Sequence, residues 1–194
     1  MQSENPDLVW RRWDEVQLSI ALDIKRKDLD SALSRVNSFL AGGEETPEIR
    51  SGAMGMKAEL EEDLGQLENA RQTLLVARDL VGPGFGRYVH EFCLAGVCRR
   101  LGQIEEAVSW YRTALKTSLE GGGVSSGSAL NAFLDLTGGP RTLTAGDHDL
   151  CVQAVQRSWR ILHLVGEPDV TDLLTAVSTI REREARGPKE SAAG

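Results

Sequence analysis

From Leu94 to Leu115 apolar residues recur three and four positions apart, through Leu94, Ala95, Leu101, Ile104, Ala107, Val108, Tyr111, Ala114 and Leu115. This is the period of helices with one buried face. The pattern breaks once, at Leu101-Gly102-Gln103. A similar stretch runs from Ala58 through Leu64-Gly65-Gln66-Leu67 and Ala70 to Leu74 and Ala77, and a looser one from Ile20 through Lys27-Asp28-Leu29, Ala32 and Val36 to Leu40. The residues at the breaks, Lys27, Gly65 and Gly102, are 38 and 37 positions apart. A break at constant spacing between two helical patterns predicts repeated helical hairpins. Helices are expected over 6–26, 28–41, 47–64, 67–81, 85–101, 104–119, 126–137, 147–165 and 169–184.

Each part of the pattern has a physical reason. Glycine at the break can take the left-handed conformation that closes a helix, where a Cβ carries a steric cost. Alanine recurs five residues after the glycine and again seven later, as Ala70 and Ala77, and Ala107 and Ala114. Those positions share one helical face, which stays small because a neighbouring helix packs closely against it. On these residues the chain resembles the tetratricopeptide repeat, with longer loops and repeats of about 37–44 residues. The resemblance implies an all-α, right-handed solenoid whose concave face is lined by the first helix of each hairpin. Four hairpins, 6–41, 47–81, 85–119 and 126–165, and a capping helix at 169–184 would form one domain over 1–185, with a disordered tail at 186–194. In the fourth hairpin Gly146-Asp147 is read as the turn, with Cys151 and Ser158 at the small positions.

Charge narrows the partners. Among 194 residues, 29 acids outweigh 22 bases, which argues against nucleic acid. No apolar run approaches the length of a membrane span, and Met1–Arg12 lacks the apolar stretch of a signal peptide. Three cysteines, Cys93, Cys98 and Cys151, make an odd set in a chain too large to need disulfides. A cytoplasmic protein is expected. Acidity is concentrated: between Glu44 and Glu68 eight acids face two bases, whereas between Arg87 and Leu119 five bases face three acids.

Signals of chemistry are few. No Walker loop, dinucleotide fingerprint, HExxH or GxSxG is present. Gly82-Pro83-Gly84-Phe85-Gly86 has neither the lysine nor the preceding strand of a phosphate loop and reads as a linker. His90, Cys93 and Cys98 fall within nine residues, but Cys98 lies about 140° around a helix from Cys93, so the three do not converge on one ion. They read as packing residues. His148 and His163 have no evident acid partner. Trp10 and Trp13, three apart, would share a face, and of Trp110 and Tyr111 one must turn outwards. No catalytic residue, cofactor or metal is expected.

What remains is a binding surface. Placing the repeat family's groove positions on this chain gives Gln17, Ala21 and Ile24 in the first hairpin. The second supplies Gly55, Glu59 and Glu62, and the third Val89, Phe92, Gly96, Arg99 and Arg100. Members that clamp a C-terminal carboxylate carry Lys and Asn where Gln17 and Ala21 stand, so that clamp is absent. The leading expectation is a protein-interaction module, an adaptor, scaffold or chaperone-like protein, holding a peptide or helix of a partner protein. Val89, Phe92 and Ile24 would supply apolar contact, and Glu59, Glu62, Arg99 and Arg100 would set register. Self-assembly into a homo-oligomer through the terminal hairpins, or a sensory domain of a regulatory system, are the alternatives.

Overall fold

The computed structural model describes residues 6–43, 45–121, 127–139 and 142–162. Among the described residues all regular structure is helical: α1 (Pro6–Lys25), α2 (Leu29–Ala41), α3 (Pro47–Asp63), α4 (Leu67–Asp79), α5 (Phe85–Arg100), α6 (Ile104–Glu120), α7 (Gly127–Leu136) and α8 (Ala145–Leu162). Each begins and ends within three residues of its expected span. The expected helix at 169–184, the tail at 186–194 and His163 lie outside the described residues.

The turns are built alike. Lys27, Gly65 and Gly102 have φ of 62°, 75° and 77°. After each, the next residue's N–H reaches back to a carbonyl five residues earlier: Asp28 to Asp23 (2.9 Å), Gln66 to Glu61 (2.7 Å) and Gln103 to Cys98 (2.9 Å). This is the Schellman closure, which satisfies carbonyls that a helix end leaves without partners. A fourth copy follows α7, where Gly138 has φ of 80° and Gly139 donates to Leu134 O at 2.7 Å. That corrects the expected turn at Gly146. The Thr144 hydroxyl accepts the Asp147 N–H at 3.2 Å and so caps α8, which places Gly146 inside the first helical turn.

The chain divides into two compact units, residues 1–107 and 108–194, with the division inside α6. In the first unit α1 packs on α2, α2 on α3, α3 on α4 and α4 on α5, and α3 also touches α5. Ala32, Ala70, Ala77 and Ala107 are fully buried, as close helix crossings require. Val9, Trp13, Phe39, Ile49 and Ala53 form one core cluster, and Ile20, Ala32, Val36 and Leu60 another. The Trp13 and Phe39 rings lie 4.8 Å apart at a tilt of 36°. Trp10 does not join them: it is 49% exposed against 4% for Trp13. The apolar stripe of α1 runs Val9, Trp13, Val16, Ile20, and Trp10 falls beside it.

Two buried carboxylates are answered within their own hairpins. Asp23 accepts Arg35 Nε at 2.5 Å, and Glu61 accepts the Thr73 hydroxyl at 2.7 Å with Lys57 Nζ at 3.6 Å. Arg35 and Thr73 each lie twelve residues after the acid, on the hairpin's second helix. Arg71 of α4 reaches Glu106 of α6 at 2.7 Å, linking successive second helices.

In the second unit α7 packs on α8, burying Leu130, Phe133 and Leu134 with Cys151, Ala154 and Val155. Arg112 of α6 grips Asp147 with two bonds, at 2.6 and 3.0 Å, and lies 5.7 Å from the Phe133 ring centre. Its guanidinium holds the Asp147 carboxyl below the ordinary carboxylate value. Tyr111 is buried and Trp110 half-buried, so Trp110 is the one that turns outwards.

Candidate functional site

The first unit contains a cavity of about 840 Å³ against α3 and α5. Its deep wall holds Ser51, Ala58, Leu74 and His90, all buried. Apolar lining continues through Met56, Val81 and Val89, and Phe85 stands at the rim 67% exposed. Glu48, Glu59, Glu62 and Asp63 also line it, and no Lys or Arg does.

The spacing of α3 explains the shape. Gly52, Gly55 and Glu59 lie on one face of the helix, so two consecutive positions of that face present no side chain. Gly55 has a local reason. A Cβ there would lie 3.0 Å from His90 Cε1 and 3.6 Å from its Nδ1. A Cβ at Gly52 would meet nothing within 4 Å.

His90 is held by one residue of the neighbouring hairpin. The Ser51 hydroxyl donates its hydrogen to Ala77 O at 3.0 Å and lies 2.7 Å from His90 Nε2. A carbonyl can only accept, so the hydroxyl hydrogen is committed and the imidazole must donate from Nε2. His90 is therefore the Nε2–H tautomer, and its Nδ1 is a buried acceptor with no hydrogen-bond partner among the described residues. Burial pushes the His90 pKa below its ordinary value, so the ring is neutral at pH 7. Burial, aided by Glu62 and Glu59, pushes the Cys93 thiol up to about 11.

Of the groove residues expected from sequence, Gly55, Glu59, Glu62 and Val89 line this cavity. The others do not meet there. Gln17 and Ile24 belong to α1 and are absent from its walls, and Ile24 is exposed. Phe92 stacks on Tyr88, with ring centres 6.3 Å apart. Arg100 donates to Glu62 Oε1 at 2.5 Å and so ties the end of α5 to the end of α3. Arg99 is exposed at the same end of α5. Cys98 is buried, about 140° around α5 from Cys93. Sequence reasoning missed Ser51; it read His90 as a packing residue, and His90 is buried, but nothing in the sequence pointed to its bond with Ser51. The available signal was a pair of glycines inside a helix, with a serine beside them 39 residues before a histidine.

No protein-family model matches the chain, and no curated protein matches it by sequence. Solved structures do. BtubC (BKLC) from P. vanneervenii superposes with a TM-score of 0.65 at 17% identity, covering 98% of this chain and 89% of BtubC. A Podosopora anserina chain assigned as a kinesin light chain with nearly identical TPR-like repeats superposes with a TM-score of 0.54 at 13% identity, covering 95% of this chain and 100% of that one. MamA gives 0.51 at 12% identity, covering 84% and 95%. Sequence motif, turn geometry and structural likeness agree: the chain has the fold of TPR-type helical repeats.

Proposed function

We propose that this protein is a protein-interaction module that holds a peptide or helix of a partner protein against α3 and α5 of its first unit. The observation that carries the reading is the cavity itself. It is about 840 Å³, within the range that accepts several side chains, with an apolar interior and an exposed aromatic at its edge. An exposed Phe85 beside an apolar pocket is the kind of anchor on which binding energy concentrates. The TPR-type fold supports an adaptor or scaffold role. On this reading the protein binds and does not catalyse: Cys93 is held as a thiol far from the pKa of an activated nucleophile.

The test is site-specific photo-crosslinking in the native host from position 59, on the cavity, and from position 76, an exposed site on α4. Partners captured from position 59 alone should be lost when Gly52→Trp fills the opening. Capture that persists unchanged in the Gly52→Trp protein sinks the reading.

A second reading, self-association, is favoured by one observation. Trp10, Leu18 (68% exposed) and Leu22 (54%) leave large apolar side chains in solvent on α1. Sedimentation of the Leu18→Lys/Leu22→Lys variant decides it, since a wild type that is already monomeric at micromolar concentration excludes this face as a dimer contact.

A further inference from the structure

The polar groups of the α3–α5 cavity have one property in common: they accept hydrogen bonds or carry negative charge. Glu62 is answered by Arg100 at 2.5 Å. Glu48, Glu59 and Asp63 are exposed and have no ion pair among the described residues. Deeper in, the neutral His90 ring has spent its only N–H on Ser51, and its Nδ1 lone pair is buried without a donor. His90 is 95% buried by its 5% exposure, so this lone pair is shut away from bulk water. A buried acceptor without a partner carries a desolvation cost that a donor from a ligand removes. Serine offers nothing further, because its hydrogen lies on Ala77 O. The wall therefore presents acceptors and carboxylates with no competing cation, around an interior lined by Met56, Leu74, Val81 and Val89.

An anionic or acceptor-rich ligand finds no donor among these side chains stronger than the Cys93 thiol. A neutral apolar one leaves the rim carboxylates and Nδ1 unanswered. A group that fits both parts has an aliphatic stem and a positively charged, donor-only head, as lysine and arginine side chains do. Arginine offers five donors in a fixed fork, enough to engage a rim carboxylate and still carry a hydrogen towards the ring.

We propose that the cavity recognises a basic side chain of a partner peptide, an arginine or lysine next to a large apolar residue. The stem lies along Met56 and Val89, the cationic head is held by Glu59 with Asp63 one turn further along α3, and a donor hydrogen reaches His90 Nδ1. The adjoining apolar residue covers Phe85. This rests on the interaction-module reading above and specifies the chemistry of its partner.

The test uses the full chain and two fluorescein-labelled twelve-residue peptides, one alternating Leu and Arg, the other alternating Leu and Glu, followed by fluorescence anisotropy. The Leu-Arg peptide should bind at least about ten-fold more tightly than the Leu-Glu peptide at physiological salt. Glu59→Gln and Asp63→Asn should each weaken it about three-fold. Asp14→Asn/Asp30→Asn removes two acidic side chains elsewhere on the unit, one more than either on-site variant, and should leave affinity unchanged; this separates local recognition from the attraction of an acidic protein for any basic peptide. Gly52→Trp should abolish binding. The His90 nitrogen signals should report an Nε2–H tautomer in the free protein and a shift at Nδ1 when the Leu-Arg peptide is added. Equal binding of both peptides, blocked by Gly52→Trp, overturns the preference for a basic residue and leaves the module reading intact. Equal losses in the on-site and off-site charge variants likewise overturn it. Failure of both peptides, or binding that Gly52→Trp does not affect, overturns the inference and the α3–α5 reading together.

Discussion

Two glycines three residues apart in α3 should respond in opposite ways to the same substitution. Alanine is favoured over glycine in a helix interior by about 1 kcal/mol. At position 52 a Cβ meets nothing within 4 Å, so Gly52→Ala should collect that gain in full. At position 55 the new Cβ arrives 3.0 Å from His90 Cε1, whereas carbon atoms settle at about 3.5–4.0 Å. The ring must retreat by about 0.5 Å, and it is tethered at 2.7 Å to Ser51, which is itself tied to Ala77 O. Stretching or breaking that bond costs about 1 kcal/mol, and the off-rotamer displacement of a packed ring about 1 more. Gly55→Ala should therefore be destabilising by about 1 kcal/mol, some 2 kcal/mol below Gly52→Ala. Urea unfolding followed by far-ultraviolet circular dichroism, with an unchanged slope, measures both. In a His90→Ala background the penalty should vanish and Gly55→Ala become stabilising, a non-additivity expected only of groups in contact. If Gly55→Ala stabilises the wild type as much as Gly52→Ala does, His90 is not the fixed wall described above.

Further outcomes follow from the turns and the buried ionisable groups. Lys27 has φ of 62°, a conformation that suits glycine; Lys27→Gly should raise stability by about 1 kcal/mol, and Gly102→Ala should lower it by a similar amount in the same urea assay. The His90 pKa is depressed in the folded protein, so below the ordinary value of 6.5 the unfolded chain binds a proton that the folded one refuses. Stability should thus fall as pH drops through that value, by up to about 1.4 kcal/mol per pH unit, and His90→Gln should remove that slope from the unfolding profile. The Asp147 carboxyl is depressed by Arg112, so its contribution is present above the ordinary value of 3.8 and disappears as pH falls through its folded value; the wild type and Asp147→Asn should differ at pH 6 and converge in acid melts. Cys93, at about 11, should react with a disulfide reagent at pH 8 about a hundred-fold or more slowly than a free cysteine.

Features that depend on the local backbone were legible in the sequence, and features that depend on distant packing were not. A helix end that needs a left-handed residue and a small face for its neighbour writes Gly65, Gly102, Ala70, Ala77, Ala107 and Ala114 at fixed offsets, and each stands where the pattern placed it. Gly146 misled because glycine is also acceptable in a first helical turn. Only the Thr144 hydroxyl on the Asp147 N–H decides where α8 begins. Part of the candidate site was visible as helix-face positions, namely Gly55, Glu59, Glu62 and Val89. Ser51 and His90 join across 39 residues through a bond that no local spacing announces. Arg100 was read as available to a partner, yet its charge is taken by Glu62. Separations of 35 to 39 residues, as in Arg71–Glu106, Arg112–Asp147 and Arg100–Glu62, follow from the repeat length once the hairpins stack.

The repeat is one of backbone geometry, and side chains vary freely within it. The carbonyl that closes each turn belongs to Asp23, Glu61, Cys98 and Leu134 in succession, spaced 38, 37 and 36 apart. Residues with carboxyl, thiol and aliphatic side chains all serve, because the closing bond needs only the main chain. Deviations from helix-forming sequence inside the helices call for another cause. Gly52 on α3 and Gly96 on α5 each forgo about 1 kcal/mol relative to alanine, and a Cβ at either would meet nothing. No close contact in the free chain repays that loss. Gly96 lies seven residues after Val89 and three after Cys93, on the face of α5 that lines the cavity, as Gly52 does on α3. Bare backbone on both helices allows an approaching chain to come nearer than side chains would permit. A local rule broken without an internal return is where function is expected to lie, and here two such breaks lie close to a buried histidine whose acceptor has no partner among the described residues.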